Sequence, residues 1–233
     1  MIKVYSGLSL DKESALRILP NARFARPIAR GDLAKDIKDR VGVVIIIDGT
    51  FHQNLAVAPD EIMDALRSGI KVYGASSMGA MRASELRDCG MIGYGQIFEH
   101  IVSSPTFRDD FLAQTFHEHR GMLKAFSYPY IDFYMNLLDL ERQNLVSRCD
   151  SQTLLDLYAQ IYYPDRCWPA LRELLLREKV SDQVLDVAQR ACSGLSAQKR
   201  LDAMGLLKLV RRQMSRVVAL NEVVNARHGL LPL

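Results

Sequence analysis

The chain has 233 residues, 48% of them hydrophobic and 24% charged, with a formal net charge of +3. That is enough apolar material for a full core and excludes a disordered chain, while so small a net charge gives no argument for nucleic acid. No apolar run is long enough to span a bilayer and the first residues lack a signal-peptide pattern, so a cytoplasmic protein without membrane contact is expected.

In chain order, Ile2-Lys3-Val4-Tyr5 predicts a first strand. Ser9-Leu10-Asp11-Lys12-Glu13 then starts a helix with acids in its first turn, running over about residues 11–19 and stopping at Pro20. A short strand remains an option near Phe24 or Ile28. Residues 43–47 are a continuous apolar, β-branched run of the kind buried on both faces. Pro59 opens a helix to Leu66, Gly69 ends it, and a strand follows over Lys71-Val72-Tyr73. Strands separated by helices predict an α/β fold, a small parallel sheet flanked by helices, over residues 1–105.

Residues 106–233 read as a mainly α-helical half packed on that core. Its candidate helices cover about 107–125, 129–144, 151–163, 168–178, 181–192 and 196–226. The last has an apolar stripe of Leu206, Leu207, Val210, Met214, Val217 and Val218. Its other side carries Lys199, Arg200, Lys208, Arg211, Arg212, Arg216 and Arg227, either a solvated face or a docking surface for an acidic partner. Nothing in the pattern fixes the oligomeric state.

Cys89, Cys149, Cys167 and Cys192 are widely spaced and form no C-x-x-C pair, which argues against structural zinc and against a disulfide scaffold. His117 and His119 lie two apart, and on a helix would face different ways. No metal site is expected. Gly-rich turns before helices can cradle phosphates, but no phosphate-loop or dinucleotide fingerprint follows a predicted strand.

The most informative stretch is residues 71–86. A strand meets Gly74-Ala75-Ser76-Ser77 and a helical run starts at Met78, the setting of a nucleophile elbow. Ser77 fits the nucleophile position, with Ala75 two before it and Gly79 two after it. Backbone N–H groups of Met78 and Gly79, at the positive end of the helix, are candidate oxyanion donors. The alternative is that Ser76 or Ser77 only caps the helix. Polar residues follow the other strands too, Ser6-Gly7 after the first and Asp48-Gly49-Thr50 after the second, and ligand sites in open α/β sheets gather at that edge. A serine nucleophile needs a base; Lys199, Lys124 and Lys71 are candidates, because burial can free a lysine amine.

Several ordered segments resemble TfuA-like proteins: Ile45-Ile46-Ile47-Asp48-Gly49-Thr50-Phe51, Ala58-Pro59-Asp60-Glu61-Ile62-Met63 and Gly74-Ala75-Ser76-Ser77-Met78-Gly79-Ala80-Met81-Arg82-Ala83. Ala29-Arg30-Gly31-Asp32 precedes them; Gly90-Met91-Ile92-Gly93-Tyr94-Gly95 and Asp109-Asp110 follow. The resemblance covers about residues 1–120, then thins through Ser127-Tyr128-Pro129, Tyr162-Tyr163-Pro164-Asp165-Arg166 and Gln198-Lys199-Arg200-Leu201-Asp202-Ala203.

It implies a hydrolase without a cofactor, working beside a YcaO enzyme that forms backbone thioamides. The substrate would be the C-terminal thiocarboxylate of a ThiS-like, ubiquitin-fold sulfur carrier. By the same resemblance Ser77 is the nucleophile, with Ser76 assisting or replacing it, and Lys199 is the base. Arg30 or Arg82 would offset the thiocarboxylate charge. Asp32, Asp48, Gly49, Gly74, Met78 and Gly79 complete the expected substrate site, with glycines 7, 49, 74 and 79 leaving room for a slim Gly-Gly tail. A non-catalytic adaptor, joining carrier or peptide to the YcaO enzyme, is the alternative.

Overall fold

The computed structural model describes residues 1–50, 55–119, 122–193 and 196–227, with side chains except those of 117–119, 122–123 and 217–227. Phe51 and the side chains of His117, His119, Val217, Val218 and Arg227 therefore lie outside the described residues.

The first half alternates strands and helices: β1 (Ile2–Tyr5), α1 (Lys12–Ile18), β2 (Ala22–Ala25), α2 (Asp32–Lys38), β3 (Val43–Ile46), α3 (Pro59–Arg67), β4 (Lys71–Ala75), α4 (Met78–Leu86), β5 (Ile92–Tyr94) and α5 (Gln96–Ser103). The strands form one parallel sheet in the order β2-β1-β3-β4-β5. β3 is central, and its four residues are all buried. Val44 and Ile46 face a core with α2, α3, α4 and α5, whereas Val43 and Ile45 face one with α1. Each buried aliphatic side chain contributes roughly 1.5–3 kcal/mol, so this strand anchors the sheet.

Three elements of this half, β5, α2 and α5, were not legible as such. β5 has three residues, flanked and interrupted by Gly90, Gly93 and Gly95, which dilutes any strand pattern. α2 begins directly after Gly31, whose φ of +84° turns the chain into it.

The expected helix over 107–125 is not formed. A short helical turn at Asp109–Phe111 precedes an antiparallel hairpin of β6 (Phe116–His119) and β7 (Met122–Ala125). Gly121 weakens any helix there. The hairpin's base is also tied: Phe126 N–H donates to the Thr115 carbonyl (2.9 Å), and Thr115 N–H to Ser127 Oγ (2.9 Å). The helix-face argument for His117 and His119 fails with that helix.

The remaining helices follow the expected spans: α6 (Tyr130–Arg142), α7 (Arg148–Gln160), α8 (Trp168–Arg177), α9 (Asp182–Ala191) and α10 (Ala197–Arg227). α6 to α9 enclose their own core around Phe133, Leu154, Tyr158, Leu171 and Ala188. α10 returns to the sheet, burying Ala203, Leu206, Leu207 and Val210 beside α1 and β4. Its apolar stripe weakens at Met214, already 38% exposed. Lys208, Arg211, Arg212 and Arg216 are exposed. No described helix is long and apolar enough to cross a membrane.

Candidate active site

The serine turn sits where β4 ends and α4 begins. Ala75, Ser76 and Ser77 form a γ-turn, in which Ser77 N–H donates to the Ala75 carbonyl (3.0 Å) around Ser76. Ser76 has a φ of +72°, a strained value for a residue with a side chain. It is fully buried, and its Oγ has no hydrogen-bond partner among the described residues. Ser77 is half-buried, with φ −114° and ψ −116°. Its side chain caps no helix N–H, so the capping alternative does not describe this turn.

One expected oxyanion donor is engaged. Gly79 N–H donates to the Ile47 carbonyl (3.2 Å), which also accepts from Ser77 N–H (3.3 Å). Met78 N–H makes no hydrogen bond among the described residues. The room expected at the glycines is also taken. A Cβ on Gly74 would meet the Gly79 carbonyl, one on Gly79 the Ile46 carbonyl, and one on Gly49 the Met78 side chain. Glycines 74 and 79 let α4 approach β3 and β4 and are not open to a ligand tail, whereas Gly49 is packed by Met78 on its Cβ side only.

Asp48 ties the ends of β1 and β3 together. Its carboxylate accepts from Ser6 Oγ (3.2 Å), Gly7 N–H (2.8 Å), Ser9 N–H (3.0 Å) and Ser9 Oγ (2.6 Å). β1 and β3 are neighbours whose crossovers leave in opposite directions, and such a switch point opens the crevice of this strand order. Asp48, Gly49 and Ser77 line a narrow cavity of about 30 Å³ there, closed by Leu8, Pro27 and Phe116. No cysteine lines it. Cys192 is buried, and burial pushes its thiol up to about 12; Cys89 and Cys149 are exposed.

Lys199 is 2% exposed and donates from Nζ to Asp132 Oδ2 (2.9 Å), itself 1% exposed in the first turn of α6. Burial raises the Asp132 carboxyl above its ordinary range; the Lys199 ammonium opposes that, and the Asp48 charge adds to it. The Ser196 backbone N–H opposes the rise too, and no hydrogen bond to Asp132 Oδ1 is present among the described residues. Asp202, one turn on from Lys199, accepts from Gln96 and Ile97 N–H just past the end of β5, so the first turns of α10 lie at the carboxyl edge of the sheet. No hydrogen bond joins Lys199 to Ser77 among the described residues. The other candidate bases, Lys71 and Lys124, are exposed.

Arg30 is exposed. Asp32 is buried and closes its own turn, accepting from Ala29 N–H (3.0 Å) and pairing with Arg26 (3.2 Å). Arg82 is engaged by both Glu85 oxygens (2.9 and 2.7 Å) and by the Val57 carbonyl (3.0 Å). None of these three lines the cavity. Sequence reasoning missed Asp132, because one acid in the first turn of a helix reads as a helix-start residue. Ser9 was legible only as part of a helix start.

The other motif residues near Lys199 fasten α10. Arg200 reaches Asp11 (3.1 Å) and Ser14 (2.8 Å), while Asp202 accepts from the N–H groups of Gln96 (3.1 Å) and Ile97 (2.9 Å). Buried Arg166 grips the Asp110 carboxylate (2.6 Å), the Asp110 carbonyl (2.7 Å) and the Ile161 carbonyl (3.1 Å).

A comparison with curated proteins found no match. A family model described as TfuA-like protein matches residues 48–167, just over half of the chain. The matched stretch opens at Asp48, takes in both serines, Asp132 and Arg166, and leaves Arg30, Asp32 and Lys199 outside. It thus starts later than the resemblance read from the motifs, runs past that resemblance's stronger part at about residue 120, and stops short of Gln198-Lys199-Arg200-Leu201-Asp202-Ala203. The chain belongs to the TfuA-like family.

Proposed function

We propose that the protein hydrolyses the C-terminal thiocarboxylate of a ThiS-like sulfur carrier, supplying sulfide to a YcaO enzyme that forms peptide thioamides. The observation that supports this reading is the strained serine turn beside a narrow cavity, in a chain that also buries a Lys199–Asp132 pair. Ser77 attacks the thiocarboxylate carbon. Its proton goes to Lys199, and Lys199 protonates the departing sulfur, so the C–S bond breaks with hydrosulfide as leaving group. Water then cleaves the acyl-serine to give carrier carboxylate, regenerated serine and a proton. Met78 N–H is the oxyanion donor in this scheme, and the tail enters past Leu8 and Phe116.

The base has a physical route to its neutral form. A buried carboxylate–ammonium pair can hold its single proton on either partner, and burial of Asp132 favours the neutral carboxyl. Moving the proton to Asp132 leaves Lys199 as a free amine.

A non-catalytic adaptor is the second reading, favoured by the absence of a hydrogen bond between Lys199 and Ser77. Sulfide release from purified thiocarboxylated carrier separates the two. Release by wild type and by a cysteine-free variant, lost in Ser77→Ala and Lys199→Ala, supports the hydrolase. Tight carrier binding without release by wild type supports the adaptor, and release by Ser77→Ala overturns the serine mechanism.

A further inference from the structure

A second hollow lies at the other edge of the sheet from the serine turn. Lys71 opens β4 and Ile92 opens β5, and a groove lined by both runs along the amino ends of these strands, against the later turns of α10. Its volume is about 600 Å³, and Leu66, Ile70 and Ile92 give it an apolar lining. Ile92 is 41% exposed and Leu66 is half-buried. Within the groove Tyr73 O–H donates to Gln213 Oε1 (2.7 Å), which holds α10 across β4.

The charge around this groove is one-sided. Lys71 and Arg216 line it, and both are exposed. Arg216 belongs to a stripe with Lys208 and Arg212, four residues apart and all exposed on α10. None of these four cations makes an ion pair among the described residues. Like charges one turn apart weaken a helix, and α10 carries no acid between Asp202 and Glu222 to offset them. The exposed faces of α6 and α8 are built differently, with Asp139 beside Arg142 (2.9 Å) and Glu173 beside Arg177 (3.4 Å). Acids on the elements leading to the groove are occupied, Asp64 by Arg67 (3.0 Å) and Asp88 by Arg87 (3.8 Å). A solvated face gains nothing from such an arrangement, whereas an acidic partner is steered to it and pairs with it. The apolar lining favours a protein segment over a nucleic acid, whose binding rests on phosphate contacts.

We propose that this groove docks an acidic segment of a partner protein. An apolar side chain of the segment packs between Leu66 and Ile92, and its carboxylates meet Lys71, Arg212 and Arg216. The surface is separate from the serine turn, so the partner held here leaves the carboxyl edge of the sheet free.

Fluorescence anisotropy with a short labelled peptide of glutamates and leucines tests this on the full chain. Wild type should bind that peptide about tenfold more tightly than one with serines in place of the leucines. Binding should also weaken as salt is added. Arg212→Glu/Arg216→Glu should lose at least about tenfold, and Ile92→Ser about threefold or more. Arg172→Glu/Arg190→Glu makes the same charge change at exposed positions of α8 and α9 and should lose less than about twofold. The comparison of the two peptides on wild type needs no variant, and unfolding midpoints show that each variant is folded. No binding by wild type, equal binding of the two peptides, or equal losses in the two double variants overturns the proposal. Tighter binding of a single-stranded RNA of the same charge overturns it in favour of nucleic acid.

Discussion

The Gly74 Cα lies against Gly79 so closely that a Cβ on Gly74 would stand 2.0 Å from the Gly79 carbonyl oxygen. A Cβ on Gly79 would in turn stand 1.8 Å from the Ile46 carbonyl oxygen. α4 is therefore pressed backbone to backbone on β3 and β4, and that contact sets the serine turn between them. Both obstacles are backbone, so they cannot swing aside like side chains. Gly79→Ala and Gly74→Ala are each expected to destabilise the fold by at least about 2–3 kcal/mol, the range for overpacked sites. Urea unfolding checks this; a change below about 1 kcal/mol would mean that α4 can shift freely.

Lys199 and Asp132 are nearly free of solvent, so removing one strands the other. Lys199→Met leaves a buried carboxylate unpaired and is expected to destabilise by about 3–5 kcal/mol. Lys199→Met/Asp132→Leu removes both charges and should recover most of that loss. The Asp132 pKa is raised by folding, so its contribution to stability is present at low pH and falls as pH rises through the folded value. The destabilisation of Lys199→Met should therefore shrink as pH is lowered toward 4, the ordinary range of the carboxyl. Equal destabilisation in single and double variants would show that packing, not charge, dominates there.

How much of this was legible follows from the range of the interactions. β3 declares itself through consecutive β-branched residues, and the serine turn through small residues between a strand and a helix, both local signals. The hairpin at 116–125 does not, because its base is tied by Ser127 and its residues also fit a helix. Asp132 meets Lys199 across 67 residues of chain, and neither local sequence betrays the pairing. Gly74 and Gly79 were read as space for a ligand when backbone fills that space; composition cannot tell the two apart. Which serine carries the strain depends on φ, and that is not written in a Ser-Ser pair.

Asp202 holds the N-terminus of α5 from the first turns of α10. It accepts two helix N–H groups and a bond from Gln198 Nε2 (2.6 Å), a cap supplied by a residue far along the chain. Gly95, with φ +100°, leaves the space that the carboxylate fills. Asp202→Ala should lose about 1–2 kcal/mol, by the worth of a helix cap. Asp202→Asn, which keeps an acceptor oxygen, should lose less. Amide hydrogen exchange at Gln96 and Ile97 reports this directly, and unchanged protection in Asp202→Ala would exclude the cap.

Asp110 and Arg166 predict an acid-sensitive tie between the segment before the hairpin and the helices beyond it. Burial pushes the Asp110 carboxyl upward, but Arg108 and Arg166 outweigh it and hold the carboxyl below its ordinary value of 3.8. A carboxylate lowered by folding contributes stability that is present above the unfolded value and is lost as pH falls through the folded one. Wild type should therefore lose stability below about pH 4, and Asp110→Asn should lose less over the same interval. At neutral pH that variant should be weaker by about 1.5–3 kcal/mol, the worth of a charge-assisted bond, because Arg166 keeps its two carbonyl partners. Unfolding midpoints of the two proteins between pH 3 and 7 decide the matter, and parallel curves would show that this carboxylate does not drive the acid response.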